Sequence, residues 1–272
     1  MSRWPGDMKR AILDFASRVG YDIQKQPGSF PPYRLLKRIS LGHDPWSDVR
    51  TILGDDVRCI FDVGAHIGQT ASRLVAAFPR AHVYSFEPDP HSFGQLEALA
   101  KRSDRIDAIN AAVGDADGHA TFFVNRFDQT NSLLRAAPGA DQFLLDSAGL
   151  VVQSELTVPV LTLDRFCSSR GIARIDLLKV DAQGYERRVL DGARGLLTGG
   201  KVPVIHLEVC FVKIYEGQPL FPELYQYLFD RGFRLVWLYE SSFHTHFYAL
   251  GANAIFIHES IGERSRPGKA SL

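Results

Sequence analysis

From Arg58 onward the chain alternates short apolar runs with stretches whose apolar residues recur three and four positions apart. Unbroken apolar runs are the mark of strands buried on both faces of a parallel sheet, and the helical stretches between them supply the crossovers. The pattern predicts strands at Cys59–Val63, His82–Phe86, Arg105–Asn110, Leu177–Val180, Val204–Val209, Arg234–Leu238 and Asn253–His258. Helices are predicted at Gln69–Ala77, Pro90–Arg102, Tyr185–Leu197 and Phe221–Arg231. The turn Gly114-Asp-Ala-Asp-Gly118, the run His119–Asn125 and a second β-like run at Leu150–Pro159 break the alternation. They predict an antiparallel insertion over the open end of an α/β sheet.

The first part of the chain reads differently. Met8, Ile12, Phe15, Ala16 and Val19 recur at helical spacing, Pro27, Gly28, Pro31 and Pro32 mark an extended linker, and one or two short helices are expected between Tyr33 and Leu53. The predicted organisation is an accessory helical cap over residues 1–57, an α/β domain over 58–262 and a flexible tail over 263–272. Whether the cap forms a homodimer contact or covers a site is left open by the sequence. No apolar run resembles a signal peptide or a transmembrane span, which predicts a cytoplasmic protein.

The 272 residues are 45% hydrophobic and 23% charged, ordinary for a globular chain with a real core. Lys plus Arg is 31 and Asp plus Glu is 31. A chain built for general nucleic-acid binding carries a basic excess, so the expected partner is a small molecule or glycan, with no nucleic acid. Cys59, Cys167 and Cys210 are distant from one another and set among apolar residues, which predicts reduced core thiols.

Chemistry concentrates at predicted strand ends. The run Cys59-Ile-Phe-Asp-Val-Gly-Ala-His-Ile-Gly-Gln-Thr-Ala71 takes a buried strand through a glycine turn into a helix. Gly64 and Gly68 permit a tight turn and close approach of a ligand to the backbone. The third glycine of a dinucleotide loop is missing, which disfavours NAD. The next strand ends Tyr84-Ser-Phe-Glu87-Pro88, an acid about twenty positions after the glycine loop, where a carboxylate accepts hydrogen bonds from a ribose diol. After the third strand comes Asn110-Ala-Ala-Val-Gly-Asp115, small enough at Ala111 and Ala112 for an adenine ring.

The segments Phe61-Asp-Val-Gly-Ala-His-Ile-Gly-Gln-Thr70, Ser85-Phe-Glu-Pro88, Asn110-Ala-Ala-Val-Gly-Asp115, Asn131-Ser132, Asp176-Leu-Leu-Lys-Val-Asp-Ala-Gln-Gly-Tyr-Glu186 and His206-Leu-Glu-Val209 together resemble the FkbM family of S-adenosylmethionine-dependent methyltransferases. The resemblance runs from about Arg58 to His258. It implies a class I methyltransferase fold, Rossmann-like, with six parallel strands and an antiparallel seventh. It also implies O-methylation of hydroxyls, frequently on sugars of glycolipids, polysaccharides or natural products. By the same resemblance Asp62, Gly64, Ala65 and Gly68, with Gln69 and Thr70 beside them, hold the methionine end of the S-adenosyl-L-methionine cofactor. Glu87 and Pro88 take the ribose, and Asn110, Ala111 and Ala112 the adenine. His66 departs from the small or amide residue common in this loop.

Methyl transfer to oxygen is an in-line displacement in which the enzyme aligns the groups and takes the hydroxyl proton. The fourth strand ends at Asp181, and the fifth carries His206 and Glu208 on one side. Two chemistries fit. Asp181 or a nearby His is the general base with Glu208 and Asn131 holding the hydroxyl, or Asp181 and Glu208 bind a divalent cation such as Mg²⁺. Against both, Asp181 and Glu186 orient the cofactor and cap the following helix. His244 and His246 follow the sixth strand as candidate base or acceptor ligand, while Asn131, Ser132 and Tyr215 lie on loops expected over the open face. Competing readings are a methyltransferase for a non-sugar acceptor and a nucleoside-binding domain without turnover.

Overall fold

The structure, a computed structural model, describes residues 12, 21–25, 33–37, 41–143, 146–243 and 248–261. The chain divides into two units, residues 1–43 and 44–272. In the first, β1 (Tyr21–Lys25) and β2 (Tyr33–Lys37) form an antiparallel hairpin. Of the one or two short helices expected between Tyr33 and Leu53, the described residues show one, at Pro45–Leu53, while Tyr33–Lys37 is a strand because it pairs with β1. The helix expected over Asp7–Val19 lies outside the described residues except for Ile12, which is helical, as do the segments expected to be a linker, 26–32, and a tail, 263–272.

The second unit opens with α1 (Pro45–Leu53), capped by the Asp44 carboxylate, which accepts from the Ser47 N–H at 2.7 Å. There follow β3 (Cys59–Val63), α2 (Gln69–Ala77), β4 (His82–Phe86), α3 (Pro90–Ala100) and β5 (Ile106–Ile109). The insertion comprises β6 (Ala112–Val113), β7 (Gly118–Asn125) and β8 (Val152–Leu161). The chain then continues through α4 (Leu163–Arg170), β9 (Leu177–Val180), α5 (Glu186–Asp191), α6 (Arg194–Thr198), β10 (Val204–Cys210), α7 (Phe221–Phe229), β11 (Phe233–Phe243) and β12 (Ala249–His258).

Seven strands make one sheet in the order β11-β12-β10-β9-β3-β4-β5, with β12 antiparallel to both neighbours. This is the class I methyltransferase arrangement. All four residues of β9 are buried, and strand alternation sends Leu178 and Val180 to the α4–α7 side and Leu177 to the α1–α2 side. Fully buried Phe61, Leu177 and Leu178 each contribute about 1.5–3 kcal/mol of burial free energy. On the α1 side, the Tyr239 hydroxyl donates to Asp48 Oδ2 at 2.6 Å and ties α1 to β11.

Three local expectations need correction. The helix expected over Tyr185–Leu197 is two, parted where Asp164 N takes the Gly192 carbonyl at 2.9 Å and the Asp164 carboxylate accepts from Gly195 N and Leu196 N at 2.7 and 3.0 Å. Helix α4 was not expected, although Thr162 caps its start and Gly171, at φ +66°, ends it. In the insertion β7 pairs antiparallel to β8, but β6 pairs parallel to it. Among the described residues no helix is long and apolar enough to cross a membrane.

Candidate active site

A cavity of about 350 Å³ lies at the carboxyl ends of β3, β4, β9 and β10, bordered by the insertion. The glycine loop forms one wall. Gly64 has φ +73°, and a side chain there would overlap the carbonyl oxygen of Asp181, so β9 approaches the turn as closely as backbone allows. The Gly64 and Ala65 N–H groups both donate to Phe86 O at 3.0 Å, anchoring the loop to β4. His66 holds a left-handed φ of +50°, uncommon outside glycine, and its N–H donates to Glu87 Oε2 at 2.8 Å. Its Nε2 lies 3.1 Å from Asp128 Oδ2 of the insertion, so His66 links the loop to the segment across the cavity.

Glu87 borders the cavity and accepts from His66 N and Asp89 N, each at 2.8 Å. Burial raises its pKa to about 7, against the lowering effect of these two bonds. Asn110 Nδ2 donates to the Glu87 carbonyl at 2.8 Å, which holds the turn, while Ala111 and Ala112 face the cavity with Pro88. Gln69 and Thr70 line it from the start of α2. Asp62 does not face it: the side chain is fully buried and pairs with Lys179 Nζ at 3.0 Å.

The floor is an acid pair. Asp181 directly follows β9 and Glu208 sits on β10, and the two carboxyls are neighbours that shift each other's titration. Gln183 Nε2 donates to Asp181 Oδ1 at 2.9 Å and Glu208 Oε2 at 3.0 Å, bridging the two. Burial pushes Asp181 up, but the Lys179 ammonium and the bonds from Glu208 and Gln183 outweigh it and hold Asp181 below the usual aspartate range. Burial and the charges of Asp181 and Glu186 drive Glu208 well above the usual glutamate range. The two shifts are opposed, Glu208 toward its protonated form and Asp181 toward its ionised form.

Around this pair the remaining candidates fall into different places. Glu186 Oε1 accepts from Ala182 N at 3.0 Å and Gly184 N at 3.1 Å, shaping the turn after Asp181. Tyr215 is buried, its hydroxyl 3.0 Å from both Thr130 O and Gln183 Oε1. The Ser132 hydroxyl donates to Gln183 O at 2.7 Å, so insertion and turn are joined. Asn131 borders the cavity at 8% exposure; its Oδ1 accepts from Asn125 N at 2.7 Å, and its buried Nδ2 has no protein partner. His206 lies on the side of Glu208 but deeper, 4.8 Å from the Trp46 ring centroid, and burial with the Lys179 charge lowers its pKa to about 3. A histidine there stays neutral and takes no proton at ordinary pH. His244 and His246 are outside the described residues.

Among the described residues no three His, Cys, Asp or Glu side chains gather as a metal cage. All three cysteines are free, and burial raises their thiol pKa, that of Cys59 to about 12, which leaves them unreactive. The structure also brings to the cavity residues to which the sequence assigned no role there, among them His66, Asp128, Lys179, Gln183 and Tyr185.

The model of the FkbM methyltransferase domain matches residues 62–235, more than half of the chain. The chain belongs to the FkbM methyltransferase family. This FkbM methyltransferase domain is 28% identical over 162 residues to the 2-O-methyltransferase NoeI of Sinorhizobium fredii, covering 58% of this chain and 66% of that protein. It is 31% identical over 153 residues to the 31-O-demethyl-FK506 methyltransferase FkbM of Streptomyces tacrolimicus, covering 49% and 58%. With the hexuronic acid methyltransferase AglP of Haloferax volcanii it shares 24% over 157 residues, 56% of each. The chain thus spans less than two thirds of the length of each of these relatives. A crystal structure of an FkbM methyltransferase from Methylobacillus flagellatus KT aligns over 75% of this chain and 44% of its own, with 16% identity and a TM-score of 0.48.

Proposed function

We propose that this FkbM-family chain moves the methyl group of S-adenosylmethionine to a hydroxyl, that of a sugar unit in a glycolipid, polysaccharide or natural product. The observation that carries the reading is the Asp181–Glu208 pair at the cavity floor, its two carboxyls bridged by Gln183 Nε2 at 2.9 and 3.0 Å. The residues fit the nucleoside. A buried carboxylate at Glu87, small side chains at Ala111 and Ala112 and an open turn at Gly64 suit a ribose, a purine and a close backbone approach. When bound, S-adenosylmethionine supplies an electrophilic methyl on a sulfonium.

The chain's own groups do the rest. Asp181 accepts the hydroxyl proton as the oxygen gains its methyl, so the proton lost by the alcohol ends on Asp181. Glu208, which burial pushes toward its protonated form, stands beside the Asp181 carboxylate, while Gln183 Nε2 bonds both acids and Gln183 Oε1 accepts from the Tyr215 hydroxyl. Asn131 Nδ2 offers an unused donor to an acceptor oxygen. The 2-O- and 31-O-demethyl methyltransferases among its relatives support an oxygen acceptor, and the hexuronic acid methyltransferase supports a sugar.

The test is transfer of labelled methyl from S-adenosylmethionine to a panel of methyl glycosides, with and without EDTA. Label is expected in a methyl ether in both series, since the two carboxyls satisfy one another. Loss of transfer on chelation would favour the divalent-cation chemistry instead. Binding of S-adenosylhomocysteine without transfer to any hydroxyl would leave a nucleoside-binding domain.

A pH dependence follows at Glu87. A ribose diol donates best to an ionised carboxylate, and Glu87, at about 7, ionises as pH rises from 6 to 8. Affinity for S-adenosylhomocysteine is expected to climb over that interval; in Glu87→Gln it should be flat with pH and about tenfold weaker at pH 8. Calorimetric titration reads both, and a wild-type affinity that falls with pH would remove the ribose role.

A further inference from the structure

Two rows of polar side chains cross the sheet on its α1 side. Asp62, Lys179 and His206 stand in register on β3, β9 and β10. Gly64, Asp181 and Glu208 follow two residues further along the same strands. Lys179, at 4% exposure, joins the rows. Its ammonium lies 2.8 Å from Gly64 O, 3.0 Å from Asp62 Oδ1, 3.4 Å from Val63 O and 3.8 Å from Asp181 Oδ2. Three of these neighbours belong to β3 and the turn after it, and the fourth is the proton acceptor proposed above.

Stability alone does not account for such a pair. Taking both ions out of water offsets most of their attraction, and two apolar side chains of similar volume would hold the strands as well. The glycine loop is held in other ways, since Gly64 N and Ala65 N bond Phe86 O and His66 N bonds Glu87. Asp181 is held by its own N–H on Val63 O at 3.1 Å and by side-chain neighbours. Its Oδ1 is taken by Gln183, and Lys179 is the cation beside its Oδ2.

We propose that Lys179 is a positioning residue for methyl transfer: its ammonium ties the Gly64 carbonyl of the cofactor loop to the Asp181 carboxylate and sets the spacing between them, and Asp62 is buried to keep that ammonium in place. This rests on the reading of Asp181 as the proton acceptor. The loop positions the methyl donor and Asp181 positions the hydroxyl, so the spacing between them governs the in-line approach. A misplacement of about 1 Å in such an arrangement costs on the order of 100-fold in rate.

Lys179→Met alone would strand a buried charge on Asp62 and cost folding. The informative variant is the apolar pair Asp62→Leu/Lys179→Met, measured by thermal unfolding, by calorimetry with S-adenosylhomocysteine, and by transfer to the best methyl glycoside of the panel. The expected result is an unfolding temperature equal to or above wild type, cofactor affinity within about fivefold, acceptor KM little changed and kcat down about 100-fold. A purely structural lysine would move temperature, affinity and kcat together. A folded apolar pair with kcat within threefold of wild type overturns the assignment.

Should the apolar pair not fold, Asp62→Asn/Lys179→Gln keeps the volumes and a donor for Gly64 O while removing both charges. It is expected to lose about tenfold in kcat at unchanged cofactor affinity, intermediate because half of the link survives. Unchanged kcat in that variant is equally fatal to the proposal. Wild-type protein that binds neither S-adenosylmethionine nor S-adenosylhomocysteine would instead bring down the methyltransferase reading on which it rests.

Discussion

Asp181→Asn is expected to lower turnover by about 10²- to 10⁴-fold, the range removed with a general base, and to shift affinity for S-adenosylhomocysteine by less than about fivefold. The substitution keeps the shape of the side chain and the Asp181 N–H bond to Val63 O at 3.1 Å, so β9 and β3 stay joined. Gln183 still has an oxygen to donate to, because the Asn amide presents one toward it. What is lost is the charge that draws the hydroxyl proton away as the new bond forms. The measurements are labelled-methyl transfer to the methyl glycoside and calorimetric titration of the product nucleoside. Turnover that survives would move the base elsewhere, and binding that collapses would make Asp181 a cofactor ligand, the competing role the sequence left open.

The second large effect is expected at Gly64. Gly64→Ala meets two penalties at once. A non-glycine residue at φ +73° carries backbone strain, and the new methyl would overlap the Asp181 carbonyl oxygen, which belongs to backbone and has no rotamer to escape into. Together they should cost about 3 kcal/mol or more, an unfolding temperature lower by roughly 6–12 °C in a unit of this size. Binding of S-adenosylhomocysteine should be lost, because the strain is relieved only by pushing the loop into the cavity. Gly68→Ala is the control. It also has a positive φ, +90°, but its methyl would meet the Leu99 Cδ2 at 2.5 Å, the far end of a flexible side chain. Equal losses for the two variants would show that backbone strain, and not the approach of β9, makes Gly64 necessary.

Much of this site was legible because its parts are local. The glycine loop, Glu87 and the Ala111-Ala112 turn each sit within a few residues of a strand end, where apolar run, turn residue and acid appear in one window. Asp181 and Glu208 were legible by the same logic, and alternation put His206 on the side of Glu208. Alternation fixes the side, not the depth. Two residues along a strand are about 6.6 Å, enough to take His206 out of the cavity and against Trp46. Lys179 was illegible for a related reason. In Leu177-Leu-Lys-Val180 a lysine looks like a position facing water, and its burial comes from β3 and β10, distant in sequence. His66 read as a departure from the family pattern; its link to Asp128 depends on how the insertion folds back, which no local window contains. The break between α5 and α6 coincides likewise with a tertiary contact, Asp164 of α4 on the Gly192 carbonyl and on the Gly195 and Leu196 N–H groups.

The bond from Lys179 to Gly64 spans 115 residues, and β9 stands between β3 and β10 in the sheet. During synthesis the strands that carry the glycine loop and Glu87 emerge first, yet the cavity has no floor until β9 inserts beside β3 and β10 follows with Glu208. A nucleoside held by both the loop and the floor, as proposed above, would bind only once the central strands have docked. Because a ligand that binds only the docked state pulls the equilibrium toward it, cellular cofactor would cushion substitutions in these strands that the empty chain could not bear.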